Sequence, residues 1–339
     1  MRILITGGLG FIGCNLADRF VRDGADVTVF DSAQRAGSMR NLQWLTDRHP
    51  NHFRVIRGDV RDAVAVRHAV AAADVVYHLA AQVAVTHSIS DPRSDFEHNA
   101  LGTLNVLEAA RVLSPMPTVI FTSTNKVYGG LSNVEVRESG TRYELLARPH
   151  GIDEHCPLDF QSPYGCSKGA ADQYVRDYAR VFGLPTVVLR LSCICGPRQF
   201  GTEDQGWLAH FIGCCLRGDP LAIYGDGKQV RDILDVGDLV ELLLKVSLRI
   251  ATTAGSVYNV GGSGANAVSI WWELRDHLAR LAPLPDVKFG LWRQADQRVY
   301  ITDIRKAVRD LDWRPTINVQ DAIFRLSEWA RELQGVARA

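Results

Sequence analysis

The chain has no excess charge of either sign: 38 lysines and arginines stand against 38 aspartates and glutamates, a formal net charge of +0 at pH 7. Proteins that hold nucleic acid or an anionic membrane along a surface carry a basic excess, so neither partner is expected. A small anionic ligand stays compatible, since it needs only a few local arginines. No stretch offers about 18 consecutive apolar residues, which excludes an obvious membrane-spanning helix. Seven cysteines (14, 156, 166, 193, 195, 214 and 215) are odd in number and lack zinc-type spacing to each other or to histidines. Reduced thiols and no metal are expected. The chain opens on the strand-like RILIT (residues 2–6), so a cytoplasmic protein without a leader is expected. Internal repeats and low-complexity linkers are also missing.

What is present is regular alternation. RILIT (2–6), DVTVF (26–30), FRVIRG (53–58), ADVVYHLA (73–80), TVIFTS (118–123) and PTVVLRLS (185–192) have the composition of buried strands. Between them, FIGCNLADRFVRDG, ALGTLNVLEAARVL (100–113) and AADQYVRDYARVFG (170–183) carry apolar residues at helical spacing. Strands alternating with helices predict an α/β protein with a parallel sheet covered on both faces. After about residue 193 the alternation fails. A Gly-Asp-Gly turn sits within residues 220–236, and helices are expected at 237–249, 269–281 and 319–333. The expected architecture is a Rossmann-type doubly wound domain over 1–190 and a smaller mixed α/β substrate lobe over 191–339. Part of the latter, about 225–250, is expected to return to the first domain.

ITGGLGFIG joins the first strand to the first helix, with glycines at 7, 10 and 13. Gly7 suits the tight turn, Gly10 lets the backbone approach a pyrophosphate, and Gly13 lets the helix sit close to the sheet. Asp31, at the end of the second strand, can accept hydrogen bonds from ribose hydroxyls and would repel a 2′-phosphate. NAD is therefore the expected cofactor. Arg35 and Arg40 nearby keep NADP as the alternative. Asp59 and Val60, after the third strand, are candidates for adenine contacts; a plain turn is the competing explanation of Asp59.

Tyr164 and Lys168 are four residues apart at a helix start and share a face. Such a pair is common by chance. It gains weight downstream of a dinucleotide fingerprint and of a strand ending in Ser123-Thr124. An ammonium beside the phenol, with a positive nicotinamide, is expected to lower the phenol's pKa and make it a usable base. Thr124 would hydrogen-bond the reacting oxygen, and Lys168 would hold the nicotinamide ribose.

The glycine turn, HLAA (78–81), NALGTLNVLEAAR (99–111), Ser123-Thr124, Tyr164-x-x-x-Lys168 and GDGKQVRDILDV, in this order, resemble the extended short-chain dehydrogenase/reductase superfamily, in particular its nucleotide-sugar epimerases and dehydratases. The resemblance covers nearly the whole chain. It implies cofactor contacts from Gly7, Gly10, Phe11, Ile12, Gly13, Asp31, Asp59, Val60, Leu79, Ala80, Ala81, Asn99, Tyr164 and Lys168, with Thr124, Tyr164 and Lys168 catalytic. The 4,6-dehydratases of this superfamily typically carry an Asp-Glu pair where this chain has Asn125-Lys126. Loss of water across a C–C bond needs an acid and a base there, so dehydration is disfavoured.

TSTNKVYG, LDFQSPYGCSKGAADQY, RQFGTEDQGW and GKQVRD are similar to the branch that epimerises CDP-hexoses at C2. This implies sugar and nucleotide contacts from Thr124, Asn125, Lys126, Ser192, Arg198 and Gln199, and diphosphate contacts from Arg231 and Arg298. A solvated strand end is the competing explanation of Asn125-Lys126, and a surface role that of each arginine. Cys193 and Cys195 are read as small apolar residues. The expected function is NAD-dependent epimerisation of a CDP-hexose at C2. The alternatives are 4-epimerisation of a UDP-hexose and, from another class, a non-catalytic NAD or nucleotide-sugar sensor. A homodimer or homotetramer is expected, through helices matching 100–113 and 170–183.

Overall fold

The computed structural model describes residues 1–335. The chain begins with β1 (Arg2–Thr6), α1 (Phe11–Arg22), β2 (Asp26–Asp31), α2 (Ser38–Arg48), β3 (Phe53–Arg57), α3 (Ala63–Val70) and β4 (Val75–His78). Two short helices, α4 (Val85–Ser90) and α5 (Pro92–Phe96), and one turn of π-helix (Glu97–Leu101) lead into α6 (Gly102–Arg111) and β5 (Thr118–Thr124). A 3-10 turn at Asn125–Tyr128 and a hairpin, β6 (Val136–Ser139) and β7 (Arg142–Leu145), precede α7 (Ser162–Phe182), β8 (Thr186–Leu191) and β9 (Cys193–Cys195). Then come α8 (Trp207–Arg217), β10 (Leu221–Tyr224), β11 (Val230–Asp235), α9 (Val236–Leu248), α10 (Ile250–Thr253) and β12 (Val257–Val260). The chain ends with β13 (Ala267–Ser269), α11 (Leu274–Leu278), β14 (Val287–Gly290), β15 (Val299–Tyr300), α12 (Arg305–Leu311) and α13 (Val319–Gln334).

Two compact units result. The first comprises Met1–Thr124, Ser162–Arg190 and Val240–Tyr258; the second comprises Asn125–Gln161, Leu191–Leu239 and the chain from Asn259 onward. One boundary between the units falls after Arg190. Two details differ from expectation: residues 125–161 belong to the second unit, and the returning segment is 240–258 rather than about 225–250. The reason for the first is burial. Beyond Thr124, Val127, Tyr128, Ile152 and Cys156 pack with Tyr300 into a small core of their own.

The first unit is built on a seven-stranded sheet in the order β12-β8-β5-β4-β1-β2-β3. β1 pairs parallel with β2 and with β4, β2 with β3, and β4 with β5. The expected Rossmann-type α/β fold is present. Every residue of β5 is buried, as suits a strand covered on both faces. β3 lies at the sheet edge with Arg54 and Arg57 exposed, charges that discourage pairing with another chain. Strand order reverses between β1 and β4, and in such sheets ligands bind at the carboxyl ends beside that reversal.

The second unit is mixed, as expected. β11 pairs parallel with β9 and β15 and antiparallel with β13, while β10 pairs parallel with β14. Phe211, Ile212, Trp271, Leu274, Leu326 and Trp329 form its main core. The helix expected at 269–281 is reduced to α11, because Ala267-Val268-Ser269 is drawn into antiparallel pairing with β11. All seven cysteines are free thiols, and no helix among the described residues is long and apolar enough to cross a membrane.

One ion pair fixes α7 to β8. Asp172 and Arg190 are 0% and 2% exposed, and the guanidinium grips both carboxylate oxygens at 2.8 and 2.9 Å. Removing one partner strands a charge in the interior. Asp172→Asn is expected to lower the unfolding free energy by about 3–5 kcal/mol, measured by denaturant titration. A loss below about 1 kcal/mol would show that Arg190 finds other partners.

Candidate active site

The first unit carries the glycine turn. Gly7 adopts φ +69°, and a Cβ on it would lie 2.7 Å from the Ala80 nitrogen. A Cβ on Gly13 would lie 2.3 Å from the Gly7 carbonyl oxygen, so only glycine lets α1 begin this close to the strand end. No side chain among the described residues caps the first turn of α1, leaving its amides available to an anion. Asp31 is positioned by two backbone amides, from Leu9 at 3.0 Å and Ala33 at 2.7 Å.

A cavity of about 420 Å³ opens here. Gly7, Gly10, Asp31, Asp59, Val60, Leu79, Ala80 and Ala81, all expected cofactor contacts, line it, together with Arg35, Gln82, His87 and His98. Phe11, Ile12 and Gly13 form the start of α1, and Asn99 lies on the π-turn, where its side-chain oxygen accepts the Gln82 backbone N–H. A glycine-walled cradle, an uncapped helix start and a carboxylate at the end of β2 fit a dinucleotide. Burial works against ionisation of Asp59, but bidentate contact with Arg61 outweighs it and holds the carboxyl below its ordinary value.

Tyr164 and Lys168 stand on the first turns of α7, 8% and 3% exposed. The helix start is tied down locally: Ser88 of α4 accepts the Tyr164 amide and Ser162 accepts that of Gly165. The Lys168 ammonium donates to the Thr122 carbonyl at 2.6 Å and lies 4.1 Å from the centre of the Phe121 ring. Burial lowers its pKa to about 7, against the opposing pull of Asp172 and Asp95. Beneath it, His78 is pushed down to about 3 by burial and then by Lys168, and stays neutral between Thr6 and Thr103.

The phenol departs from expectation. Burial pushes Tyr164 up to about 12; the Thr124 hydroxyl and the charge of Arg35 pull it down, and Asp95 pushes it up. The Lys168 ammonium is directed at the Thr122 carbonyl. The Thr124 side chain hydrogen-bonds the phenol. Ser123, next to it, has a buried hydroxyl with no partner among the described residues.

The remaining candidates lie in the second unit. Asp296 binds Arg231 at 2.7 Å and Lys126 at 3.5 Å, with Arg231 8% exposed. Burial lowers the Lys126 pKa and Asp296 opposes this. Asn125 donates to the Gln297 amide oxygen at 3.3 Å. Ser192 does not offer a free hydroxyl: it donates to the buried carboxylate of Asp232. Gln199 donates to the Ile194 carbonyl at 3.0 Å, and its own buried oxygen has no partner among the described residues. Arg198, at φ +73°, reaches over Trp329, and the exposed Arg298 over Tyr143. Within this unit the fold joins Lys126 to Arg231 and turns Arg298 onto an aromatic ring. Burial raises the pKa of Cys193 and Cys195, which keeps both as thiols.

Several residues carry no sequence signal. Asp296 and Gln297 precede Arg298 in an ordinary polar run, and Gln82, Ser88 and Asp95 resemble any loop or short-helix residues. Arg35 is conspicuous in the sequence only as a possible phosphate partner, yet its charge acts on Tyr164.

The depressed Lys168 pKa has a definite pH sign. Unfolded, the lysine titrates near 10.5, and folded near 7. Between these values the unfolded chain holds more protons, so stability from this residue rises with pH and is lowest below 7. Lys168→Met is expected to raise the melting temperature of the NAD-free protein by about 2–4 °C at about pH 6, with the advantage shrinking by about pH 9. Thermal melts across that range test it; a pH-independent difference would show that the ammonium is not the destabilising feature.

Residues 3–261 match the NAD dependent epimerase/dehydratase family. The chain is 42% identical over 342 residues to CDP-paratose 2-epimerase of Salmonella typhi, covering 98% of this chain and 100% of that one. It is 31% identical to dTDP-glucose 4,6-dehydratase of Shigella flexneri, covering 97% and 92% respectively. Among solved structures, UDP-glucose 4-epimerase of Thermus thermophilus in complex with NAD superposes with a TM-score of 0.81 at 31% identity, covering 98% and 99%. DesIV, a dTDP-glucose 4,6-dehydratase of Streptomyces venezuelae with NAD bound, gives 0.84 at 30%, covering 99% and 98%. Fold, cradle and full-length likeness agree: the cofactor is NAD, and the chain belongs to the NAD dependent epimerase/dehydratase family.

Proposed function

We propose that this chain is an NAD-dependent epimerase that inverts C2 of a CDP-hexose, interconverting CDP-paratose and CDP-tyvelose. The observation that carries this is the full-length 42% identity to a CDP-paratose 2-epimerase, together with Asn125-Lys126 where the dehydratases hold an acid pair. NAD, once bound, supplies the acceptor and later the donor of the hydride. The Tyr164 phenol oxygen, as phenolate, takes the proton of the sugar hydroxyl while the C2–H bond breaks, leaving a ketone. Thr124 donates a hydrogen bond to the reacting oxygen. The ketone turns its opposite face, hydride returns to carbon, and Tyr164 gives the proton back. No net oxidation occurs.

The phenol lies well above neutrality in this structure, so the chemistry needs further positive charge beside it, and oxidised nicotinamide is the charge the reaction brings. Lys168 is assigned to the nicotinamide ribose, Asn99 and the cavity residues to the remaining cofactor, and Asn125 and Lys126 to sugar hydroxyls. Arg231 is assigned to the diphosphate, with Ser192, Arg198, Gln199 and Arg298 as the other substrate candidates. The protein is proposed to be cytoplasmic and to self-associate through α6 and α7, where Val112, Tyr174, Val181 and Phe182 are exposed.

Tyr164→Phe is expected to reduce epimerisation at least about a thousandfold while NAD stays bound, read as NAD content of the purified variant and product NMR. Retained activity would remove the phenol from the mechanism. With CDP-paratose in deuterated water, the inverted carbon is expected at C2 and to carry no deuterium. Deuterium at the inverted centre would indicate deprotonation beside a carbonyl instead. Inversion at C4 of UDP-hexoses alone would establish the 4-epimerase alternative, and NAD binding without turnover of any CDP-, UDP- or GDP-sugar a sensor.

A further inference from the structure

A wholly buried carboxylate, Asp95 on α5, lies against the catalytic helix and has no part in the reaction described above. Ser167, next to Lys168 and one turn after Tyr164, donates to one of its oxygens at 2.5 Å. Gln82 and Asn99 donate amide hydrogens to the other, at 2.8 and 3.2 Å.

The orientation of both amides is fixed from outside. The Gln82 oxygen accepts the Ala84 amide, and the Asn99 oxygen accepts the Gln82 amide, so each must present its NH₂ to Asp95. Ser167 accepts from Asn99 and gives its hydrogen to Asp95, the nearer of its two acceptors, the other being the Tyr164 carbonyl at 3.2 Å. Both amides must donate and Ser167 donates at its shortest contact, so the pocket as arranged suits an ionised carboxylate.

We propose that Asp95 is a positioning residue: it latches α7 to the cofactor-lining segments that carry Gln82 and Asn99, and its fixed negative charge keeps the Lys168 side chain an ammonium. Three titratable groups face it, Lys168 and Tyr164 from α7 and His87 from α4. Lys168 is also opposed by Asp172 on its own helix. Burial raises the Asp95 pKa, and its hydrogen-bond donors and Lys168 counter this. The same charge disfavours the Tyr164 phenolate, so Asp95 supports the lysine at some expense to the base. The catalytic consequence rests on the hydride-transfer reading above; the electrostatic one does not.

The chain has six lysines, few enough for ε-carbon NMR of the ¹³C-lysine-labelled protein with NAD bound, the Lys168 signal being assigned by its loss in Lys168→Met. Asp95→Asn is expected to move the Lys168 midpoint to lower pH by about one unit, and the basic limb of the epimerisation profile with it. Ser167→Ala, which removes one donor and weakens the carboxylate's charge, is expected to move it the same way by less. An unchanged midpoint in folded Asp95→Asn overturns the proposal. Should that variant not fold, an unchanged midpoint in Ser167→Ala does so. Absence of CDP-sugar turnover by the wild type would overturn the proposed activity and leave the NMR result to decide the role of Asp95.

Discussion

The arrangement of the first unit depends on keeping a lysine ammonium where water scarcely reaches it. An isolated charge in the interior is costly, and the fold meets that cost with a carbonyl, an aromatic face and two carboxylates. Lys168 donates to Thr122 and lies over Phe121, both on β5, which fixes α7 against the strand that ends in Thr124. Asp172, on the same helix, is shared with Arg190. Asp95 is held by Ser167, the residue before Lys168. The same contacts that make the ammonium tolerable therefore also set the position of Tyr164 against Thr124.

The second unit solves a similar problem differently. Lys126 and Arg231 share the single carboxylate of Asp296, so the group is one positive charge in excess. Two cations held around one anion form a natural receptor for a further anion, and a diphosphate is such an anion. Asn125 and Gln297 hold each other by a hydrogen bond beside this group. A carboxylate at position 126 would have left Arg231 and Asp296 with no surplus positive charge between them.

Much of this was legible in the sequence, because glycine spacing and apolar periodicity are local signals. Gly7 and Gly13 are constrained by backbone atoms within a few ångströms, and the run Thr118–Thr124 carries Val119-Ile120-Phe121 without a charged residue because both faces of β5 are covered. The Tyr164–Lys168 pair was legible because two residues four apart on a helix must share a face. What escaped was long-range. Asp296 meets Lys126 across 170 positions of chain, and Asp95 meets Ser167 across 72. Residues 125–161 gave no clue that their apolar side chains would bury with Tyr300. The sign of the Tyr164 shift was also invisible, since it is set first by burial, and how far the folded chain covers the phenol is not a local signal.

That last point bears on why such a site suits a reaction that ends where it began. A phenol held near 12 is a poor base in the resting protein and a good one only while extra positive charge stands next to it. Oxidised nicotinamide carries that charge; the reduced form does not. On the proposed mechanism the proton affinity of Tyr164 would therefore follow the redox state of the cofactor, low when hydride is to be removed and high once it has been taken. On that mechanism the phenol would hold its proton while the ketone exists and release it as hydride returns. Dehydration needs, besides this, an acid and a base placed at a second carbon, and the Asn125 amide supplies neither. With Lys126 bound to Asp296, the chain keeps the reversible half of the chemistry and lacks the groups that would commit the ketone to losing water.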